Sequence, residues 1–378
     1  MTVYIGNTTE IQNSTLWNKM KSARKVFSFD LEVTARCNND CGHCYICLPV
    51  RDRSAREQEL SPSEIGRIAE EAVAIGAIWV LITGGEPLLR DDFCEIYKLL
   101  KQKGLLVSVF TNATLVRKEH IEVFRKYPPH DIEVSVYGVT KETYEKVTRR
   151  PGSFNAFQSG LSLLMDSDVR VRLKAMALRS NHHELAEISE FCRVHTKDYY
   201  RFDPFLHLRF DGDAVRNAGI IAERLTPEEI VSIERADCER FNALEKNCEK
   251  LINGNFCHMD CDHLFHCGAG NGSFSVSYNG IFRLCSSLWA PKTIYDLRAG
   301  SLKEAWEQTV PRVRDLRSKN LEFLNTCRKC PIINLCLWCP AHAYLETGAM
   351  DTHVDYFCQV AHARAAAIGY TGLDKKKE

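Results

Sequence analysis

Between about residues 26 and 206 short apolar runs alternate with longer stretches whose apolar positions recur at helical spacing, the pattern of βα units around a parallel sheet. Strands are predicted over 26–34, 78–83, 105–111, 131–137, 169–177 and 200–206. The helices between them carry their own start signals. Ser61-Pro62-Ser63-Glu64 reads as a capping box with proline in the first turn, and Ile65, Ile68, Ala69, Ala72 and Val73 then share one face. Asp91-Asp92 opens a second helix that turns Phe93, Ile96, Tyr97 and Leu100 inward. After about Asp211 the alternation stops. A helical bridge starts at Leu225-Thr226-Pro227 and runs to about Lys250, and from residue 257 the chain becomes cysteine-rich, with an Asn279-Gly280 pair that predicts a two-residue hairpin turn. The expected divisions are therefore an extension over 1–25, an α/β unit over 26–210, a bridge over 211–256 and a cysteine-rich α+β unit with a helical tail over 257–378.

Forty-nine basic residues balance forty-nine acidic ones, so nothing in the charge asks for nucleic acid or an anionic membrane. Neither a signal-type amino terminus nor an apolar run of membrane-spanning length occurs, and a cytoplasmic protein is expected. Seventeen cysteines at short spacings in a chain of this length argue for metal sites in a reducing, oxygen-poor compartment rather than for a disulfide scaffold.

Cys37, Cys41 and Cys44 form a C-x3-C-x2-C loop directly after the first predicted strand. One loop of that spacing can aim three thiolates at three corners of an iron-sulfur cube and leave the fourth iron without a protein ligand. A zinc knuckle, with His43 as fourth ligand, is the alternative on ligand type alone. The second predicted strand runs into Thr83-Gly84-Gly85-Glu86-Pro87, where a glycine pair allows close backbone approach to a small polar ligand and Glu86 offers a carboxylate. Both motifs fall at carboxyl ends of strands, where functional loops of such sheets lie.

Together the two motifs resemble the radical S-adenosylmethionine enzyme family, over about nine tenths of the chain. The later cysteines are similar to the SPASM extension of that family: Cys261, Cys267, Gly280-x4-Cys285, then Cys327-x2-Cys330-x5-Cys336-x2-Cys339 and Cys358, with a final spacing of two where the family has three. The resemblance implies a partial (β/α)6 barrel of parallel strands followed by a small cysteine-rich domain with a β-hairpin. It implies S-adenosylmethionine and three [4Fe-4S] clusters, one on Cys37, Cys41 and Cys44, one on Cys261, Cys267, Cys285 and Cys339, and one on Cys327, Cys330, Cys336 and Cys358. A zinc ribbon remains the alternative for the cysteine run.

Within that frame Gly84, Gly85 and Glu86 match the segment that receives the methionine amino group, and His43 the position that touches adenine through its backbone. Asn112 and Ser135, at ends of the third and fourth strands, can reach a ribose or cap the following helix. Lys174 shares a face with Arg170 and Arg172 and suits a cofactor carboxylate, or else a solvated edge. Cys257, Tyr137, Arg209, Asp211 and Ser286 are substrate-side candidates by position. Cys47, Cys94, Cys192, Cys238 and Cys248 read as ordinary thiols; Cys47 lies near the cluster loop but off the family spacing.

The implied activity is reductive cleavage of S-adenosylmethionine followed by hydrogen abstraction from a peptide or protein, with flavodoxin or ferredoxin as reductant. Only about 25 residues precede the first strand, so a leader-binding domain is not expected ahead of it. Cys285 is followed by Ser286 rather than the aspartate of sulfatase maturases, which removes that proton acceptor. The alternatives are radical tailoring of a tetrapyrrole or amino sugar, and a zinc-bound scaffold without radical chemistry.

Overall fold

The computed structural model describes residues 25–196, 201–242, 244–245, 261–336 and 338–370. Six parallel strands are built from the predicted runs: β1 (Ser28–Thr34), β2 (Trp79–Gly84), β3 (Leu106–Thr111), β4 (Asp131–Ser135), β5 (Val171–Met176) and β6 (Arg201–Asp203). One face of each follows the alternation into a core: Phe29, Leu31 and Val33, then Val80, Ile82, Val107, Val109, Ile132, Val134 and Leu173 pack under the crossover helices. Among the latter, α1 (Pro62–Ala74) buries Ile65, Ile68, Ala69 and Ala72, and α2 (Phe93–Gln102) buries Phe93, Ile96, Tyr97 and Leu100. The start of α1 is the predicted capping box, with the Glu64 amide on Ser61 Oγ at 3.3 Å and the Ser61 amide on Glu64 Oε2 at 2.8 Å. At α2 the capping position is Asp92, whose carboxylate turns away to pair with Arg90 at 2.6 Å.

The opposite face is polar and internally neutralised. Asp131 and Glu133 on β4 meet Arg172 and Lys174 on β5, at 3.2 Å for Arg172–Asp131 and 2.6 Å for Lys174–Glu133. Lys174 also lies 3.6 Å from the centre of the Phe110 ring. Paired register explains the match, because Glu133 stands opposite Arg172 and Ser135 opposite Lys174 across the ladder.

The cysteine-rich region joins this sheet instead of standing apart. Strand β7 (Ser273–Val276) runs parallel to β1, from Ser28 opposite Ser273 to Leu31 opposite Val276. Strands β8 (Ile281–Arg283) and β9 (Tyr295–Asp296) follow antiparallel, so the sheet has nine strands in the order β9-β8-β7-β1-β2-β3-β4-β5-β6. The hairpin turn differs from the predicted two-residue one. Gly280 donates to the Ser277 carbonyl at 2.9 Å, the Ser277 amide bonds Ile281 at 3.0 Å, and only Gly280 has positive φ, +87°. That is a three-residue loop with a type I turn and a glycine bulge, which leaves Asn279 in ordinary backbone.

Beyond the sheet, the bridge contains α3 (Ala214–Ala222) and α4 (Pro227–Ala236). Its expected end near Lys250 lies outside the described residues. Helix α4 packs on the carboxyl-terminal α5 (Asp355–Ala367) through a buried ion pair, Arg364 Nε to Glu234 Oε2 at 3.0 Å. No helix among the described residues is long and apolar enough to cross a membrane.

A backbone contact sets the position of the sheet's functional end. A Cβ on Gly84, where φ is +133°, would stand 2.1 Å from the Thr34 carbonyl oxygen, and one on Gly85 2.4 Å from that of Arg36. The glycine pair is therefore required by the chain's own backbone, whatever ligand it also meets. Gly84→Ala is expected to lower unfolding free energy by about 3 kcal/mol or more, read by chemical denaturation beside Gly104→Ala, whose Cβ would meet nothing within 4 Å and which shares positive φ.

Candidate cluster loop and cofactor site

The end of β1 passes into the cysteine loop through a short parallel pair, Arg36–Cys37 beside Leu48–Pro49. That ladder closes the loop on itself, and the Cys44 amide bonds the Cys41 carbonyl at 3.2 Å to form its inner turn. Burial, with the neighbouring Cys44 and Cys47 thiols adding to it, pushes the Cys41 thiol well above its usual range. A cationic centre shared by these sulfurs reverses both penalties, as a bound metal does.

Glu86 and Asn112 tie this loop to the next strand ends. Glu86 is fully buried; its carboxylate accepts from the Leu88 amide at 3.0 Å, the Thr111 hydroxyl at 2.8 Å and the Asn112 amide at 2.8 Å. Burial pushes it up to about 7 against those donors. The Asn112 side chain donates to Asn38 Oδ1 at 3.0 Å and approaches the Cys37 sulfur at 3.7 Å, while its oxygen accepts from the Thr114 amide and hydroxyl. The carboxylate expected to face a ligand thus also staples β2 to β3, and Asn112 reaches the cluster loop itself.

On the other side His43 packs against Tyr137, ring centres 5.3 Å apart, two residues past Ser135 at the end of β4. Burial, helped by the Arg149 guanidinium, holds the His43 imidazole down at about 4, so it is neutral. His43 Nδ1, the Tyr144 hydroxyl and the Asn39 side-chain amide are buried without a hydrogen-bond partner among the described residues. Three unpartnered polar groups beside clustered thiols are what a bound cluster and a polar ligand would satisfy, so the residues present fit that pair.

Arg209 and Asp211, expected on the substrate side, pair with each other beside the cluster loop. Arg209 is 3% exposed, pairs with Asp211 at 2.5 Å, and donates through Nη1 to the Cys47 carbonyl at 3.0 Å. Their ion pair buttresses the cluster loop. Cys47, read from sequence as an ordinary thiol, is buried in the same loop and donates to the Asn39 carbonyl at 3.2 Å.

The later cysteines gather in two groups. Cys339, pushed up to about 12 by burial, feels the charges of Cys285 and Cys267. Cys336, also at about 12 from burial, feels Cys358, Cys330 and Cys327. The shortened spacing before Cys339 is accommodated because Cys339 caps the helix Pro340–Thr347, its sulfur accepting from the His342 amide at 3.3 Å. Cys261 lies 3.0 Å from His263 Nδ1, and its charge acts on Arg317 and Arg328. Cys257 lies outside the described residues.

Between the two cysteine regions runs an aromatic column that the sequence did not single out. Tyr45, next to Cys44, meets His207 at 5.8 Å between ring centres, and His207 meets His342 at 4.3 Å. Ser287, two residues past Cys285, hydrogen-bonds His207 Nδ1 at 3.3 Å. Burial holds His207 below the usual imidazole range. Ser286 offers its carbonyl to Arg283, whose guanidinium stacks 3.8 Å from the Trp289 ring and pairs with Glu32 at 2.7 Å. Neighbouring sequence could have flagged Tyr45, beside Cys44, and His342, three residues past Cys339; nothing local points to His207.

Residues 31–192 match the family model of the Radical SAM superfamily. The AdoMet-dependent heme synthase of Methanosarcina barkeri is 26% identical over 342 residues, 84% of this chain and 92% of that protein. Two solved structures share the fold. Streptococcus suis SuiB bound to precursor peptide SuiA covers 95% of this chain and 83% of its own at 17% identity and a TM-score of 0.67. The anSMEcpe structure with bound AdoMet and Kp18Cys peptide covers 90% and 96% at 15% identity and a TM-score of 0.60. The thiol loop at the end of β1 and the Gly-Gly-Glu segment at the end of β2 both lie within the residues that match the Radical SAM superfamily.

Proposed function

We propose that this protein is a radical S-adenosylmethionine enzyme with two auxiliary clusters that modifies a peptide or protein by oxidation, cross-linking or epimerisation. The observation that carries the reading is the grouping of thiols at the carboxyl end of a parallel sheet, beside unpartnered buried polar groups and within reach of the Glu86–Asn112 network. When bound, a cubane open at one iron supplies the electron that converts S-adenosylmethionine into methionine and a 5′-deoxyadenosyl radical. Cys37, Cys41 and Cys44 would hold that group. Gly84, Gly85 and Glu86 would receive the methionine end, Asn112 and Ser135 the ribose, and His43, with Tyr137 packed on it, the adenine. Lys174 keeps Glu133 as its partner and adds positive charge to the polar face.

Cys267, Cys285 and Cys339, with Cys261, would hold the first auxiliary cluster, and Cys327, Cys330, Cys336 and Cys358 the second. His207, hydrogen-bonded to Ser287 two residues past Cys285, is the proton acceptor this reading assigns in place of the aspartate missing after Cys285. The peptide reading is supported by fold likeness to SuiB and anSMEcpe, both solved with peptides. A second reading, a tetrapyrrole substrate, is favoured by the higher identity and wide coverage of the heme synthase relative.

Anaerobically reconstituted protein is expected to hold about twelve irons with matching sulfide, from four per cluster. Cys41→Ala should hold about eight and lose 5′-deoxyadenosine formation under dithionite. Zinc without sulfide, or undiminished 5′-deoxyadenosine from the variant, contradicts the reading.

A further inference from the structure

Helix α3 (Ala214–Ala222) reverses the usual order of a surface helix. Its polar side chains turn inward: Arg216 pairs with Asp40 at 2.5 Å, and Asn217 accepts from the Arg209 amide at 2.8 Å. Ile220 is its one buried residue, packed with Val147, Leu178, Leu206 and Leu208. Ala214, Val215, Ala218, Ile221 and Ala222 are exposed, and at helical spacing they form one face without a charge. Val215 is 84% exposed and Ile221 51%. A contiguous apolar face left bare in this way marks a contact surface.

Unmatched cations flank it. A Cβ on Gly219 of the same helix would stand 3.6 Å from the carbonyl oxygen of Gly42, the residue after Cys41, and 3.9 Å from Arg149 Nη2. Arg149 is exposed, lies over Gly42, and holds a left-handed backbone, φ +51°, that is costly for a residue with a side chain. Neither Arg149 nor Lys146, exposed on the last turn of the helix Lys141–Thr148, has a carboxylate partner among the described residues. Arg150 Nη1 is buried without an acceptor.

Resting on the reading that Cys37, Cys41 and Cys44 hold a redox cluster, we propose that the apolar face of α3, with Lys146, Arg149 and Arg150 beside it, docks the protein that reduces that cluster. The partner is an acidic one-electron carrier. Carboxylates on its rim answer the three cations, and an apolar centre covers Val215 and Ile221. Gly42 meets α3 and Arg149, whereas the next residue, His43, packs against Tyr137, so the carrier approaches the loop without displacing the wall of the cofactor site. One electron leaves the carrier, which is oxidised as the cluster is reduced, and no bond is made or broken.

The test uses full-length wild type, Val215→Glu/Ile221→Glu and Lys146→Glu, all reconstituted anaerobically, with flavodoxin as the acidic carrier. Calorimetric titration should show flavodoxin binding about tenfold weaker to each variant than to wild type, because each brings new carboxylates against an acidic partner. Wild-type affinity should fall as salt rises, and more steeply than that of Lys146→Glu. The flavodoxin concentration that half-saturates 5′-deoxyadenosine formation should rise by the same factor in the variants. Their rate under dithionite, a small reductant that needs no docking surface, should stay that of wild type. Flavodoxin that fails to bind wild type, or binds all three proteins equally, overturns the proposal. So does a wild-type dimer in sedimentation that Val215→Glu/Ile221→Glu breaks up, because the face then belongs to a second copy of this chain. Dithionite separates the two possible failures. 5′-Deoxyadenosine from wild type under dithionite leaves the cluster reading standing when the docking result is negative; its absence refutes that reading and the docking role with it.

Discussion

The functional end of this protein depends on a contact between two pieces of backbone. The chain leaving β1 presses its Thr34 and Arg36 carbonyls into space that any side chain on Gly84 or Gly85 would fill. Their amides answer the same approach: Gly85 donates to Thr34 at 2.7 Å and Glu86 to Arg36 at 3.0 Å. From that junction the order spreads outward. Glu86 reaches Thr111 and Asn112, and Asn112 reaches Asn38 and Cys37, so three strand ends and the thiol loop form one connected body. A loop fixed in this way can present sulfurs in a constant arrangement, which a cluster with an open iron requires.

The same strand organises the other half of the chain. Because β7 pairs with β1 in parallel, the hairpin delivers Cys285 to the sheet rather than through a flexible linker. Arg283, fully buried, crosses back to Glu32 on β1 and stacks on Trp289. Even with that partner, burial pushes the Glu32 carboxyl above its usual range. A pair of this kind adds little net stability after desolvation, but it penalises any other register of the hairpin against β1. The Tyr45–His207–His342 column runs across the same junction, so the two cysteine regions are coupled through packed rings as well as through the sheet.

The sequence disclosed whatever is local. Strand runs, the Ser61–Glu64 box and the three-cysteine loop are written in neighbouring residues, and periodicity or spacing reads them directly. It did not disclose contacts made across long chain separations. The parallel pairing of β7 with β1, the Arg209–Cys47 bond across 162 positions and the place of His207 between two cysteine groups belong to this class. Where local signals pointed to two outcomes, tertiary packing chose. Gly84 and Gly85 serve the backbone of β1, the Asn279-Gly280 pair makes a bulged three-residue loop, and the Lys174 ammonium finds Glu133 inside the sheet.

All of this converges on metal held at one end of the sheet. Anomalous diffraction from anaerobically grown crystals, collected on both sides of the iron edge, tests it most directly. The account predicts an iron peak among Cys37, Cys41 and Cys44 and two more in the carboxyl-terminal cysteine groups. Peaks at the zinc edge in their place, or no metal at the end of β1, would contradict it.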